Sequence, residues 1–360
     1  MEFNDFINIP PYSLNKDDKN KILTQRFKDL TLFHYNNSVE YKSIINSKSI
    51  NIEDIHGYSE IPFLPVRLFK EFNLKSIRED EIFKTMTSSG TSGQQVSKIF
   101  LDRETSINQT KTLTKIVSSY IGSKRLPMII LDTSAVIKDR KMFSARGAGI
   151  IGFQMFAYDK IYALDENMNI DIGKIEEFLK KHEGETILLF GFTFMIWQHF
   201  YKEIIKLSHK LDLSNGILIH GGGWKKLQGE AVTNEEFKKS LYHACMIEKV
   251  YNYYGMVEQT GTIYMECEYG HLHTSIFSDI IVRDPFDFSV APIGKKGIIE
   301  VLSILPKSYP GHAILTEDEG IILGEDDCPC GRYGKYFKAI GRLKNAEIRG
   351  CSDTYEDKFR

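Results

Sequence analysis

Residues 85–98 read TMTSSGTSGQQVSK and combine a run of hydroxyl side chains with two glycines and one terminal lysine. The segment links two strand-like runs, 81–86 and 98–101. Glycines let backbone N–H groups turn toward an anion, and hydroxyl groups add donors that can surround phosphate oxygens. Lys98 begins the returning strand, from which its ammonium group could reach back over the loop. We therefore expect a phosphate-binding loop, while a flexible Ser/Gly surface loop is the alternative.

This loop differs from a P-loop of the Walker type. That motif requires a lysine directly after its second glycine. Here Lys98 lies five residues beyond Gly93.

Strands and helices alternate through the middle of the chain. We expect strands at 127–132, 186–192 and 216–220, helices at 104–121 and 171–183, and a glycine-rich turn at 144–153. Helix-like spacing also covers 14–48, and short strands separated by turns replace helices after about residue 260. This order predicts a layered α/β fold.

The composition restricts the class of function and the compartment. The 46 basic and 48 acidic residues leave a formal net charge of -2, which argues against a dedicated nucleic-acid-binding protein. No apolar run approaches the length of about 18 residues that a membrane helix needs, so we expect no membrane span. The N-terminus lacks the features of a signal peptide, and five cysteines fit a reducing compartment. We therefore expect a cytoplasmic protein.

The cysteines and histidines near the C-terminal third predict a metal site. Cys328 and Cys330 are separated by one residue in a turn, and Cys267 lies upstream with His271 and His273. Three thiolates and one imidazole form a tetrahedral zinc set, with either histidine as the fourth ligand. Four unbonded side chains in loops are the alternative.

Four motifs occur in an order that resembles the adenylate-forming enzymes, the superfamily of acyl-CoA synthetases and adenylation domains. They are SSGTSG at 88–93 with Lys98, YGMVE at 254–258, LTED at 315–318 and GRLK at 341–344. More narrowly, the chain resembles the acyl-protein synthetase (LuxE) family, whose near relatives are the phenylacetate-CoA ligases. The turn HGGGWK at 220–225 and the segment RGCS at 349–352 fit that branch.

The resemblance implies ATP and Mg²⁺ as cofactors and assigns roles to individual residues. It implies phosphate binding by Ser88, Ser89, Gly90, Thr91, Ser92, Gly93 and Lys98, adenine contact at Tyr254 and Gly255, Mg²⁺ binding by Glu258, and ribose binding by Asp318 and Arg342. By comparison with the phenylacetate-CoA ligases, the zinc ligands are Cys267, His273, Cys328 and Cys330, with His271 in reserve. Two positions depart from the family pattern, because Glu317 replaces a glycine of the ribose motif and Lys344 replaces the hinge aspartate.

The family fold implies the domain organisation. Residues 1–340 form the large N-terminal domain of adenylate-forming enzymes, with a helical part at 1–80 and a β-rich part at 260–340. Residues 341–360 form the hinge and a tail that carries Cys351, and most of the usual small C-terminal domain is expected to be missing. Nine extended residues span up to ~30 Å, so Cys351 could swing from solvent to an adenylate carbonyl.

The implied reaction is that of a long-chain-fatty-acid–protein ligase. A carboxylic acid, of the fatty acid class, would form an acyl adenylate with ATP, and Cys351 would take the acyl group as a thioester for an acyl reductase partner. An acyl- or aryl-CoA ligase of the phenylacetate type and an inactive relative that acts as a binding subunit are the alternatives. His220 is either a substrate contact or a core histidine, and Cys245 is expected in the core.

Overall fold

The computed structural model describes residues 2–88, 95–138, 145–207 and 210–343. The α-helices are α1 Phe3–Phe6, α2 Lys16–Asn37, α3 Val39–Ser47, α4 Leu68–Glu71, α5 Arg103–Ile121, α6 Ala135–Lys138, α7 Ala145–Gln154, α8 Ile172–Lys181, α9 Thr193–Met195, α10 Lys202–Ile204 and α11 Asn234–Cys245. A π-helical segment, Ile196–Tyr201, joins α9 to α10. Short 3₁₀ helices span Ile52–Asp54, Tyr58–Glu60, Glu79–Glu81, Lys225–Glu230 and Val257–Gln259. No helix among these residues is long and apolar enough to cross a bilayer.

The strands are β1 Leu64–Pro65, β2 Lys84–Thr87, β3 Lys98–Leu101, β4 Leu126–Thr133, β5 Ala157–Leu164, β6 Ile187–Phe192, β7 Gly216–Gly221, β8 Lys249–Tyr254, β9 Tyr264–Met265, β10 Leu272–His273, β11 Ser278–Arg283, β12 Gly297–Ser303, β13 Ala313–Glu325 and β14 Lys335–Arg342. The mixture of helices and sheets confirms the predicted α/β class.

The described residues fold into two compact units, and the first contains residues 2–88, 95–120 and 254–343. Its main sheet has the strand order β10-β14-β13-β12-β11, with antiparallel neighbours, and β1 adds in parallel to β13. The strands β2 and β3 form a separate antiparallel hairpin. Helix α2 packs apolar side chains such as Leu23, Phe27 and Leu30 into the core of this unit.

A buried ion triad links helix α2 to the main sheet of the first unit. The Asp279 carboxylate lies 3.0 Å from Nζ of Lys19 on α2 and 3.0 Å from Nζ of Lys335 on β14. The Lys19 ammonium also donates to Oγ1 of Thr274 at 2.7 Å, and that of Lys335 donates to the Tyr58 hydroxyl at 2.9 Å. Buried charges are tolerated only when they are paired and hydrogen-bonded, and this triad meets both conditions.

A stacked histidine pair lies in the same core. The rings of His34 and His312 are 4.9 Å apart at 23°. His34 contacts the hydroxyl of Ser76 at 2.8 Å, and His312 contacts that of Thr31 at 2.9 Å. Burial lowers the pKa of His34 to about 3 and that of His312 well below its usual value, so both rings are neutral near pH 7.

The second unit contains residues 121–138, 145–207 and 210–253 and is built on a parallel sheet of order β5-β4-β6-β7-β8. Strands β6 and β7 are buried at every position, as expected for a parallel sheet whose two faces are both covered.

The predicted strands at 127–132, 186–192 and 216–220 agree with β4, β6 and β7 to within one residue. The predicted helices at 104–121 and 171–183 correspond to α5 and α8.

The prediction of a glycine-rich turn at 144–153 is wrong, because residues 145–153 lie in helix α7. Gly149 serves packing rather than chain reversal. A Cβ atom at Gly149 would lie 3.0 Å from Cζ of Phe192, so the small residue lets the helix approach the end of β6. Ile150 and Phe153 of the same helix are buried, and this tertiary packing overrides the low helix propensity of glycine.

Candidate active site and metal centre

The β2–β3 hairpin presents the two described ends of the expected phosphate loop. Thr87 pairs with Lys98, and beyond that pair the Ser88 N–H donates to the Ser97 carbonyl at 3.1 Å. The Ser97 N–H donates in turn to Oγ of Ser88 at 2.9 Å. These reciprocal bonds hold the base of the loop closed, with Ser88 buried and Lys98 exposed at the first position of β3.

The remaining loop residues, 89–93, lie outside the described residues, as do Lys344 and Cys351. Their predicted roles therefore stay predictions.

Asp318 lies at the centre of the expected ribose site. Its Oδ2 atom accepts a hydrogen bond of 2.7 Å from the Tyr254 hydroxyl, and its Oδ1 atom is 3.8 Å from Nε of Arg342. Asp318 and Arg342 are direct partners in the β13–β14 ladder. The Asp318 N–H donates to Oγ1 of Thr316 at 3.1 Å. Glu317, which replaces a glycine of the family pattern, continues the strand at this point, so no turn is needed.

Tyr254 is held by aromatic side chains as well as by Asp318. Its ring lies 6.1 Å from that of Phe337, in an edge-on arrangement, and 6.0 Å from that of Tyr264. Burial, and next the charge of Asp318, raise the pKa of Tyr254 well above its usual value, so the phenol remains a hydrogen-bond donor at neutral pH. Gly255, the next residue, is exposed.

Glu258 follows in the 3₁₀ helix Val257–Gln259, and its side chain is buried. The Tyr309 hydroxyl donates to the Glu258 carbonyl at 2.8 Å and anchors this short helix. Gly261 has a φ of +96°, and a Cβ atom there would lie 2.6 Å from Cα of Gln109. The close approach of two backbones at a positive φ therefore requires glycine three residues after the expected magnesium ligand.

Three thiols and one imidazole converge in the first unit. The ligand atoms of Cys267, His273, Cys328 and Cys330 all lie within 4.8 Å of one another. The Sγ atoms of Cys267 and Cys328 are 4.0 Å apart, and Sγ of Cys330 is 3.4 Å from Nε2 of His273. Around a tetrahedral zinc ion, neighbouring sulfurs would lie ~3.8 Å apart. His271 is a fifth donor, because its Nδ1 atom is 3.3 Å from Sγ of Cys328.

The surroundings favour the ligand forms of His273 and Cys330, whereas burial raises the pKa of Cys267 and raises that of Cys328 to about 12. Burial, and next the charge of Arg332, lower the pKa of His273 to about 4, so the imidazole is neutral. Burial alone would raise the pKa of Cys330, but hydrogen bonds from the backbone and side chain of Arg332 lower it. The Arg332 guanidinium is itself fixed by a 2.8 Å ion pair with Glu268. The His273 ring stacks on Tyr336, with centroids 5.7 Å apart.

Two contributions were missed at the level of sequence. The family motif implied only an adenine contact for Tyr254, whereas its hydroxyl binds the carboxylate of Asp318. The sequence motifs assigned no role to Arg332. A basic residue two positions after Cys330 could nevertheless have indicated a cation that lowers the pKa of the thiol.

His220 lies in the second unit, at the end of β7. Its Nδ1 atom is 2.9 Å from Oγ1 of Thr193, and its ring packs 4.7 Å from that of Phe237. Burial lowers the pKa of His220 to about 3. These contacts are those of a neutral core histidine. Cys245 is buried in α11, as expected.

Comparison with known proteins identifies both the family and the fold. The family model described as "Acyl-protein synthetase, LuxE" matches residues 2–360. The long-chain-fatty-acid–luciferin-component ligase of Aliivibrio fischeri is 23% identical over 354 residues, which cover 95% of this chain and 90% of that protein. The enzyme of the same name from Vibrio harveyi is 22% identical, with coverages of 97% and 91%.

Among solved structures, an open conformation of 2-hydroxyisobutyryl-CoA ligase in complex with 2-HIB-AMP and CoA superposes with a TM-score of 0.71 at 12% identity. The match covers 96% of this chain and 76% of that one. ATP-bound MatB from Rhodopseudomonas palustris matches with a TM-score of 0.50 at 16% identity, over 76% of this chain and 50% of that one. The fold is therefore that of the adenylate-forming ligases.

Proposed function

We propose that this chain, which belongs to the acyl-protein synthetase (LuxE) family, is a ligase that activates a fatty acid with ATP. An oxygen of the carboxylate attacks the α-phosphorus of ATP, the bond to the β-phosphate oxygen breaks, and pyrophosphate leaves. The product is an acyl adenylate. The observation that carries this proposal is the cluster of Tyr254, Asp318 and Arg342, in a chain of this family.

The cluster supports nucleotide binding through its geometry. Asp318 is about one quarter exposed and Arg342 about one third exposed, so a ligand can reach both. The Tyr254 hydroxyl occupies one side of Oδ2 and fixes the orientation of the carboxylate. An oriented carboxylate can accept hydrogen bonds from the two ribose hydroxyls, which are donors.

The hairpin residues would act on the phosphates. Lys98 and Ser88 flank the loop at 89–93, from which a cation and several N–H and hydroxyl donors can contact phosphate oxygens. Bound Mg²⁺ would neutralise charge on the phosphates, and the Glu258 carboxylate is an oxygen ligand of the kind that this ion prefers. The anchored 3₁₀ helix would hold Glu258 in a constant position.

The acyl group would then pass to Cys351. The thiolate attacks the carbonyl carbon of the acyl adenylate, AMP leaves, and a thioester forms, from which an acyl reductase would take the acyl group. Transfer to coenzyme A is the alternative.

An incubation with ATP, Mg²⁺ and radiolabelled carboxylic acids of different chain lengths tests both steps. We expect label on the wild-type protein that hydroxylamine removes, no label on Cys351→Ser, and AMP release by wild type. Asp318→Asn should reduce acid-dependent ATP–pyrophosphate exchange at least ~10-fold, because the variant loses a charge-assisted acceptor. AMP release without protein labelling would support coenzyme A as the acceptor. Absence of exchange with every acid would contradict adenylation.

We also propose that Cys267, His273, Cys328 and Cys330 hold a structural zinc ion. Their mutual distances and the neutral imidazole fit a closed tetrahedral site, and such an ion stabilises the turns that carry its ligands. We expect about one zinc per chain by elemental analysis, and less than half of it in Cys328→Ser. Cys245→Ala, which removes a core thiol from the second unit, should keep the metal. Zinc-free wild-type protein purified without chelator would contradict the proposal.

A further inference from the structure

Arg332 lies beside the thiols of the proposed zinc site and contacts three other segments of the first unit. Its guanidinium and its backbone N–H both donate hydrogen bonds to Sγ of Cys330. A 2.8 Å ion pair joins it to Glu268, which lies on the other ligand-bearing turn. Its Cζ atom lies 4.6 Å from the ring centre of Tyr120 and 5.9 Å from that of Tyr12. One side chain thus connects the two ligand-bearing turns with helix α5 and with the N-terminal segment.

The charge of the proposed site calls for a cation of this kind. Three thiolates around a Zn²⁺ ion leave one net negative charge. The ligands Cys267 and His273 are fully buried, and a charge in such surroundings is costly unless it is paired and hydrogen-bonded. Arg332 provides both the opposite charge and the N–H donors. Because its side chain is only about one-fifth exposed, water screens its attraction to the thiolates only in part.

The guanidinium differs from the other donors that reach the sulfurs. Backbone N–H groups donate to the sulfurs of Cys267, Cys328 and Cys330, whatever side chains the neighbouring residues carry. Arg332 adds a charged donor, and hydrogen bonds of charged groups are roughly twice as strong as neutral ones. A substitution at Arg332 can therefore remove a strong hydrogen bond to the site without removing a ligand.

Aromatic side chains hold the guanidinium in position. The ring of Tyr12 lies edge-on to that of Tyr120, with centroids 6.1 Å apart, and edge-on to the His273 ring at 6.2 Å. The Tyr12 carbonyl accepts a hydrogen bond of 3.1 Å from the Tyr333 N–H, next to Arg332 in the chain. A side chain that is already fixed loses little conformational entropy when a ligand binds beside it. The surroundings of Arg332 thus favour metal binding by preorganisation.

We propose that Arg332 is a positioning residue of the zinc site, which neutralises the net charge of the three thiolates and fixes the two ligand-bearing turns relative to each other. The inference rests on the proposed zinc ion and extends it from the ligands to the groups around them. Such groups orient metal ligands, and their removal typically weakens metal binding ~10–100-fold.

Competition with a chromophoric chelator measures the dissociation constant of zinc. Arg332→Met keeps an apolar side chain against the tyrosine rings but removes the charge and the N–H donors. We expect it to raise Kd at least ~10-fold, while saturated protein still binds about one zinc per chain. Arg332→Lys keeps the charge without the planar fork and should recover part of the loss. Arg103→Met is the matched control, because Arg103 also lies over an aromatic ring, 5.1 Å from the centre of Phe83, and should leave Kd unchanged.

Cobalt-loaded protein distinguishes this role from a purely structural one. The intensity of the sulfur-to-Co²⁺ charge-transfer absorption reports the number of thiolate ligands, and its energy reports the electron density on sulfur. Arg332→Met should keep the intensity and shift the band to longer wavelength, because a sulfur loses its charged hydrogen-bond donor. A residue that only packs against the tyrosine rings would leave the band in place.

The outcomes separate this inference from the zinc site itself. A wild type that binds zinc with the same affinity as Arg332→Met overturns the role of Arg332 and leaves the zinc site standing. A wild type that binds no zinc overturns the zinc site and the inference together. An equal loss of affinity in Arg103→Met would assign the effect to general loosening of the first unit, and would also overturn the inference.

Discussion

The hydrogen bond from Tyr254 to Asp318 provides the sharpest test of the nucleotide site. Tyr254→Phe removes only the hydroxyl group that donates to Oδ2 of Asp318 at 2.7 Å. The ring and its contacts with Phe337 and Tyr264 remain. The substitution therefore changes the orientation of one carboxylate and little else.

The size of the effect follows from the partners. A hydrogen bond to a charged group contributes about 1.5–3 kcal/mol when it is buried. Asp318 is about one quarter exposed, so water can replace part of the loss, and we expect about 1–1.5 kcal/mol. This corresponds to ATP binding that is ~5–10-fold weaker. The value of kcat at saturating ATP should change less, because Tyr254 orients the Asp318 carboxylate, which would bind the ribose and not the reacting phosphate.

Isothermal titration with a non-hydrolysable ATP analogue measures the affinity directly, and acid-dependent ATP–pyrophosphate exchange separates KM from kcat. Tyr264→Phe is the matched control. Its hydroxyl donates to the Asp279 carbonyl at 3.0 Å, away from the Asp318 carboxylate, so it should affect stability but not ATP affinity.

Unchanged or tighter binding of the analogue by Tyr254→Phe would refute the reasoning. Tighter binding would mean that the Tyr254 hydroxyl competes with the ribose for Asp318 instead of orienting it. An equal loss of affinity in Tyr264→Phe would assign the effect to general loosening of the aromatic cluster.

Three further predictions concern stability. Acidification from pH 7 to 5 should lower the free energy of unfolding by about 2 kcal/mol through His34 alone. In this pH range the His34 side chain of the unfolded chain binds a proton, whereas the buried side chain, whose pKa is lowered to about 3, does not. His34→Gln should therefore reduce this loss in urea titrations. Gly261→Ala should lower stability by at least ~2 kcal/mol through backbone strain and contact, whereas Gly223→Ala should stay within ~0.5 kcal/mol. Lys19→Ala should lower the free energy of unfolding by about 3–5 kcal/mol, because it removes one of the two cations that pair with the buried Asp279 carboxylate. Lys16→Ala, at an exposed ion pair, should lower it by only ~0.5 kcal/mol.

Each of these has a result that contradicts it. A pH dependence of unfolding that is identical in wild type and His34→Gln would show that the stacked histidine pair does not control acid sensitivity. Equal melting temperatures for the two glycine variants would contradict the close backbone approach at Gly261. Equal losses for Lys19→Ala and Lys16→Ala would contradict the energetic importance of burial for the ion triad.

The pattern of the sequence was sufficient for the class of fold and for the order of its motifs. Strands β4, β6 and β7 are near-continuous apolar runs, and such runs have few alternatives to a buried parallel sheet. The segment at 144–153 was misread because glycine content is a local signal. Gly149 lets a helix pack closely because of its contact with Phe192, which lies far along the chain, and no local signal shows that contact.

Resemblance to the family's motifs located YGMVE and the aspartate of LTED, and the spacing of cysteines and histidines located the candidate zinc ligands, with either histidine as the fourth. Spacing carries no distance between residues far apart in the chain, however. Only the tertiary structure joins the Tyr254 hydroxyl to Asp318, 64 residues later, and brings Cys267 to within 4.0 Å of Cys328. The same holds for solvent exposure: Phe27 and Phe286 are both phenylalanines in the sequence, but only the packed chain buries the first and exposes the second.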